Sequence, residues 1–174
     1  MRSVTTAVVG IAGTTAVTLT GAGADLGVVD RRACTVRDSQ PYHEAQGLDL
    51  AAAERVIADA YERAVANATD ELRGIVAALA ARDITVVGAG LSFKEYRMPA
   101  SIETRLRSHA MCHGAEGMMT RDAWWAACEA LALPVHAEPP RPVPPSIDAA
   151  GKAIGTPWRK EHKLAAMAAL AALG

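Results

Sequence analysis

The chain has 174 residues, 51% of them hydrophobic and 21% charged, with a formal net charge of −1. That composition supplies enough apolar material for a core and excludes wholesale disorder. Near-neutrality excludes a uniformly basic nucleic-acid coat and a strongly acidic chain alike. Three cysteines with no C-x-x-C pair form neither a disulfide framework nor a zinc knuckle, and no run of about twenty apolar residues is present to cross a bilayer. Alanine, at 38 positions, favours helices that pack closely.

The first 24 residues have two readings. As a β-hairpin, residues 3–11 are dense in Val and Thr, Gly13-Thr14 turns the chain, and residues 15–20 return. As a secretory leader, Arg2 precedes an apolar stretch over residues 4–19 and the small-residue triplet Ala22-Gly23-Ala24. Six threonines, Gly10, Gly13 and the lack of a leucine run favour the hairpin. So does a third strand over residues 26–36, edge-like in its pattern, which would otherwise have no partner. After a loop over residues 37–48, Asp49 is an N-cap for a helix over about 50–81. Its apolar stripe is Val56, Ile57, Ala60, Tyr61, Ala64, Val65, Ala68, Leu72, Ile75, Val76 and Leu79. Residues 84–91, bounded by Asp83 and the Gly88/Gly90 pair, read as a buried strand parallel to the first. A broken helix follows, over 101–113 and again from 120 or 121 to 133, and residues 133–137 form a short final strand. The tract 138–145 holds five of the nine prolines and is extended. Residues 146–154 form a short helix, and Thr156-Pro157 opens the last helix, which runs to Leu173. The predicted organisation is an α/β core over 1–138, a Pro-rich linker over 139–145 and a C-terminal helical segment over 146–174 packed on the core.

In order these elements are βββαβαβα. Ala7-Val8-Val9-Gly10-Ile11-Ala12-Gly13-Thr14-Thr15-Ala16-Val17 resembles the opening phosphate-binding hairpin of actin-like ATPases, and Gly27–Arg32 is similar to the third strand of that motif. The remainder matches only in element order. The family this resembles is the ribonuclease H-like superfold, which includes Holliday-junction resolvases and actin-like ATPases. The resemblance implies a mixed sheet with an antiparallel N-terminal hairpin and helices packed on it. It also implies phosphate- or nucleic-acid-directed chemistry. The chain departs from the family where that chemistry resides: the first-strand aspartate that binds magnesium is replaced by Ala12, and residues 3–17 contain no carboxylate. A two-metal nuclease requires several converging acids.

The densest chemistry lies in Arg105-Leu106-Arg107-Ser108-His109-Ala110-Met111-Cys112-His113-Gly114-Ala115-Glu116-Gly117. If the helix runs through, His109, His113 and Glu116 lie at i, i+4 and i+7 and share a face. The two histidines have the spacing of helical zinc sites, although Ala110 stands where metalloproteases carry glutamate. Glu116 or Cys112 is the candidate third ligand of a divalent ion. In a metal-free version a histidine is the acid or base, Glu116 orients it, and Arg105, Arg107 and Arg121 hold an anion. Lys94 and Arg97, just past the buried strand, are further candidates to meet a phosphate or carboxylate. Gln40-Pro41-Tyr42-His43-Glu44 reads as a packed loop, with membership of a site through His43 as the alternative, and Trp124-Trp125 as a pair covering the sheet and a loop. After Pro139 five Lys and Arg face two acids, which suits an anionic partner. The expected function is a phosphate- or nucleic-acid-directed enzyme with a His/Glu/Arg site and a divalent ion. The alternative is a catalytically inactive interaction or regulatory module of the same fold. Nucleic acid or a phosphorylated small molecule is the expected partner, with a homodimer left open and no membrane. Scattered cysteines suggest reduced thiols and a cytoplasmic chain; the leader reading instead implies secretion after cleavage near Ala24.

Overall fold

The computed structural model describes residues 5–138 and 142–173. Its sheet has the order β3-β2-β1-β4-β5, formed by β1 (Thr5–Ala12), β2 (Thr15–Thr20), β3 (Gly27–Ala33), β4 (Ile84–Ser92) and β5 (Val135–Glu138). β2 is antiparallel to both neighbours, whereas β1 pairs β4 and β4 pairs β5 in parallel. The helices are α1 (Pro41–Glu44), α2 (Leu50–Ala80), α3 (Ile102–Arg105), α4 (His109–Ala130), α5 (Pro145–Ala153) and α6 (Lys160–Ala172). A mixed sheet that opens with an antiparallel three-strand meander and adds two parallel strands through helical crossovers is the ribonuclease H-like arrangement. Residues 5–20 therefore form the hairpin, with β1 in the centre of the sheet, and β3 is an edge strand.

The period-2 alternation of β1 separates the two faces of the sheet. Ala7, Val9 and Ile11 meet Ala64, Ala68, Leu72, Ile75 and Leu79 of α2 and Ala123, Trp124 and Ala127 of α4. Val8 and Ala12 point the other way, onto Ile147 of α5 and Ala165, Ala166 and Ala169 of α6. On that second face the helix lies directly on strand backbone. A Cβ built at Gly10 would sit 1.7 Å from the Ala165 carbonyl oxygen, and one at Gly90 would sit 1.9 Å from that of Ala168. Glycine in two neighbouring strands and alanine in the helix are what permit this approach.

α2 begins as expected, with the Asp49 carboxylate accepting from the Ala52 N–H at 2.9 Å. Tyr61, placed on the apolar stripe by spacing alone, is 37% exposed. The helix expected to break around Gly114 and Gly117 does not. α4 is continuous over 22 residues, and the interruption falls earlier, between α3 and α4. There Ser108 caps the new helix by accepting from Met111 N–H at 3.1 Å. The glycines are tolerated because the chain after β4 fills the space they leave. A Cβ at Gly114 would lie 2.7 Å from Met98 Cε and 3.2 Å from Tyr96 Cδ1. The last helix starts at Lys160, not at Thr156-Pro157. The Arg31 guanidinium of β3 donates to the carbonyls of Gly155 at 2.6 Å and Thr156 at 2.8 Å, and also to that of Pro157. Those carbonyls are thereby withheld from helical pairing. Of the Pro-rich tract, residues 139–141 lie outside the described residues.

Candidate functional site

Two polar regions lie at one end of the sheet, joined by Arg37. The first is built by α1 on the N-terminal turns of α4. The segment 40–44, expected as a loop, is one helical turn with Pro41 at its first position. It is fastened from three sides. Tyr42 is buried, its hydroxyl accepts from Arg105 Nη1 at 3.2 Å, and its carbonyl accepts from Cys112 Sγ at 3.7 Å. This fixes His43 over the face of α4 that carries His109, His113 and Glu116.

Glu116 is 1% exposed, and its carboxylate is heavily committed. Oε1 accepts from Tyr42 N–H at 3.2 Å, His43 N–H at 3.4 Å and His43 Nδ1 at 2.9 Å. Oε2 lies 3.8 Å from Arg37 Nη1 and 3.9 Å from His113 Nδ1. A buried carboxylate is stabilised by such a set of donors. With Nδ1–H given to Glu116, His43 presents its Nε2 lone pair outward. That nitrogen is 2.9 Å from His109 Nδ1, and His109 Nε2 is 3.0 Å from His113 Nε2. The three rings have centroids 4.3–4.7 Å apart.

Sequence spacing thus places His109, His113 and Glu116 together, but the residue that completes the group is His43. Its chain separation from His109 and Glu116 is 66 and 73 positions, so no local pattern groups it with them. Cys112, weighed as a ligand, faces backbone carbonyls of Tyr42 and Arg105. Burial, and then the Glu116 charge, push its thiol pKa up, the opposite of what a thiolate ligand requires. The candidate anion-binding arginines do not converge on the histidines. Arg105 donates through Nε to the Pro99 carbonyl at 2.6 Å, Arg107 lies 3.8 Å from Glu103, and Arg121 grips Asp122 at 2.8 Å. Arg97 is exposed.

The second region is a cleft of about 580 Å³ at the carboxyl ends of β1 and β4, closed on one side by the start of α6. Arg37, Lys94, Lys160 and Glu161 line it, with the hydroxyls of Thr14, Ser92 and Thr120. Lys94 Nζ sits 5.0 Å over the Tyr96 ring. Arg37 Nε donates to Thr120 Oγ1 at 2.8 Å and Nη1 to the Ser39 carbonyl at 3.0 Å. Trp124 Nε1 donates to the Gly13 carbonyl at 3.1 Å, tying the turn after β1 to α4, while Trp125 is 37% exposed. The fold implies a divalent-metal pair in this place, and the donor set does not fit one. β1 and β4 carry no carboxylate, and the single acid of the cleft, Glu161, stands among three cations. Cations repel a metal pair and suit an anion.

No helix among the described residues is long and apolar enough to cross a membrane. No family model and no curated protein matches the sequence. Among solved structures the chain is similar to Thermus thermophilus RuvC, at 12% identity and a TM-score of 0.49, over 94% of this chain and 91% of that one. It is similar also to T. thermophilus RuvC in complex with Holliday junction substrate, at 11% identity and a TM-score of 0.49, over 99% of this chain and 97% of that one.

Proposed function

We propose that this chain is a nucleic-acid-binding module of ribonuclease H-like fold, which holds phosphate groups in the cleft at the carboxyl ends of β1 and β4 and does not cleave by the two-metal route. The observation that carries this reading is the reversed charge of the cleft: Arg37, Lys94 and Lys160 against Glu161 alone. Cations and hydroxyl donors gathered at strand ends match the phosphodiester backbone, and open α/β sheets bind ligands at that edge. The interaction reading therefore stands ahead of the hydrolytic one. Hydrolysis through His109, His113 and Glu116 would need an anion held beside the histidines, and Arg105, Arg107 and Arg121 are paired elsewhere.

The test is fluorescence anisotropy with branched, duplex and single-stranded DNA over a salt series. Each phosphate contact removed by Lys94→Ala or Lys160→Ala should weaken binding on all sequences and flatten the log–log salt slope by about 1. Incubation with magnesium or manganese should leave the DNA intact. Binding that ignores salt and both substitutions, or cleavage lost in Glu161→Gln, would overturn the reading.

A further inference from the structure

We infer that His43, His109 and His113 form a binding site for one divalent d-block cation of the zinc class, with Glu116 as the carboxylate that orients His43. The site is separate from the anion cleft and uses none of its lysines.

Three observations point there. First, one ring nitrogen from each histidine lies within 4.8 Å of the others. A tetrahedral ion with Zn–N of about 2.0–2.1 Å needs nitrogens roughly 3.3 Å apart. The 2.9 and 3.0 Å contacts run to opposite nitrogens of His109, so one ion takes only one of them and the wider side of the triangle closes by turning a ring, which the exposed positions of two rings on α4 allow. Second, the donor set is three imidazoles with no carboxylate oxygen among them, which selects zinc, copper, nickel or cobalt over magnesium or calcium. Third, the outer support is already built. His43 gives Nδ1–H to the buried Glu116 at 2.9 Å, the carboxylate–histidine–metal arrangement that fixes tautomer and ring orientation.

Glu116 has further work that explains its burial. Its other donors are the backbone N–H groups of Tyr42 and His43, so the same carboxylate anchors α1 to α4 and aims the imidazole. The His113 side chain is 54% exposed, which leaves an entry path and a fourth position open to water or an anionic ligand, as in zinc sites that bind exogenous groups. Without an ion, the rings form a hydrogen-bond chain running from His113 through His109 and His43 to Glu116. A cation would take the place of these N–H···N links, each neutral imidazole presenting a lone pair and keeping its proton on the other ring nitrogen.

The experiment uses the tag-free full chain, stripped with chelator and titrated calorimetrically with Zn²⁺. A parallel Co²⁺ titration reads the visible absorption of a tetrahedral centre. The expected result is one equivalent bound and a raised Tm in Zn²⁺ but not in Mg²⁺. His109→Ala and His113→Ala, both at exposed positions, should abolish the tetrahedral cobalt spectrum. Glu116→Gln should weaken affinity about 10–100-fold. Should Glu116→Gln prove unfolded by circular dichroism, the two exposed histidine variants still decide the matter. Absence of Zn²⁺ binding by the wild-type chain, or equal binding after His43→Ala and His109→Ala together, would overturn the proposal. DNA binding by the cleft is measured independently, so either reading fails without the other.

Discussion

The face of the sheet under α6 and the edge where α1 meets α4 are built on opposite principles. Under α6, helix and strand backbones touch through Gly10, Gly90 and a row of alanines, with no charged group in the buried cluster. At the α1–α4 edge the contact runs through the longest polar side chains available: a buried glutamate, three imidazoles and a guanidinium. The first surface is determined by volume and tolerates no addition. The second is determined by donors and acceptors, and tolerates changes of shape better than changes of charge.

Gly10→Val should show the largest effect. A side chain there meets backbone, not a flexible tip, so destabilisation of about 3 kcal/mol or more is expected, read as a collapse of Tm or loss of soluble protein. A Tm near wild type would mean that α6 is not seated on the strand. Glu116→Leu comes next. It strands the N–H groups of Tyr42 and His43, at about 1–3 kcal/mol, and hydrogen exchange should show α1 loosened while the α6 face keeps its protection. Gly114→Ala should nearly cancel. The methyl meets the flexible end of Met98 and, less closely, the Tyr96 ring, and alanine is about 1 kcal/mol better than glycine inside a helix. A large loss in urea melts would show that the Tyr96–Met98 chain cannot yield.

The smallest effect is a pH dependence at the start of α6. Burial, then the Arg31 and Arg159 charges, hold the His162 pKa below its ordinary 6.5. Its Nδ1 must also be unprotonated to accept from the Arg159 N–H at 2.9 Å. The folded state thus binds fewer protons than the unfolded one at this position. Its contribution is full above about pH 6.5 and is lost as pH falls through the folded value. His162→Ala should therefore flatten the decline in Tm between about pH 8 and about pH 5 by a degree or so.

What was legible in the sequence depended on how local its cause is. The hairpin, α2 with its Asp49 cap, and β4 follow from alternation, periodicity and turn residues within a few positions, and they stand where expected. The sequence points to a break in α4 because glycine in a helix carries a propensity penalty that the sequence displays, whereas the packing that offsets it comes from Tyr96 and Met98, seen only in three dimensions. Lys160 as the start of α6 depends likewise on Arg31, 124 positions from Gly155. At the site, i, i+4, i+7 spacing gathered His109, His113 and Glu116, because a helix is a ruler. His43 comes from another element, and nothing near it in the chain ties it to α4. Arg105, Arg107 and Arg121 stand near the histidines in the chain but turn to Pro99, Glu103 and Asp122, because proximity in a chain does not fix direction.

The zero-clearance seat of α6 also sets how this chain can diverge. At Gly10 and Gly90 the only substitution without a steric cost is none, and the facing helix is confined to small residues at Ala165, Ala168 and Ala169. Distant kin that have lost every other likeness should still carry this five-point stencil, two glycines in neighbouring strands and three small residues on the closing helix. It offers a search key independent of whichever chemistry they have kept.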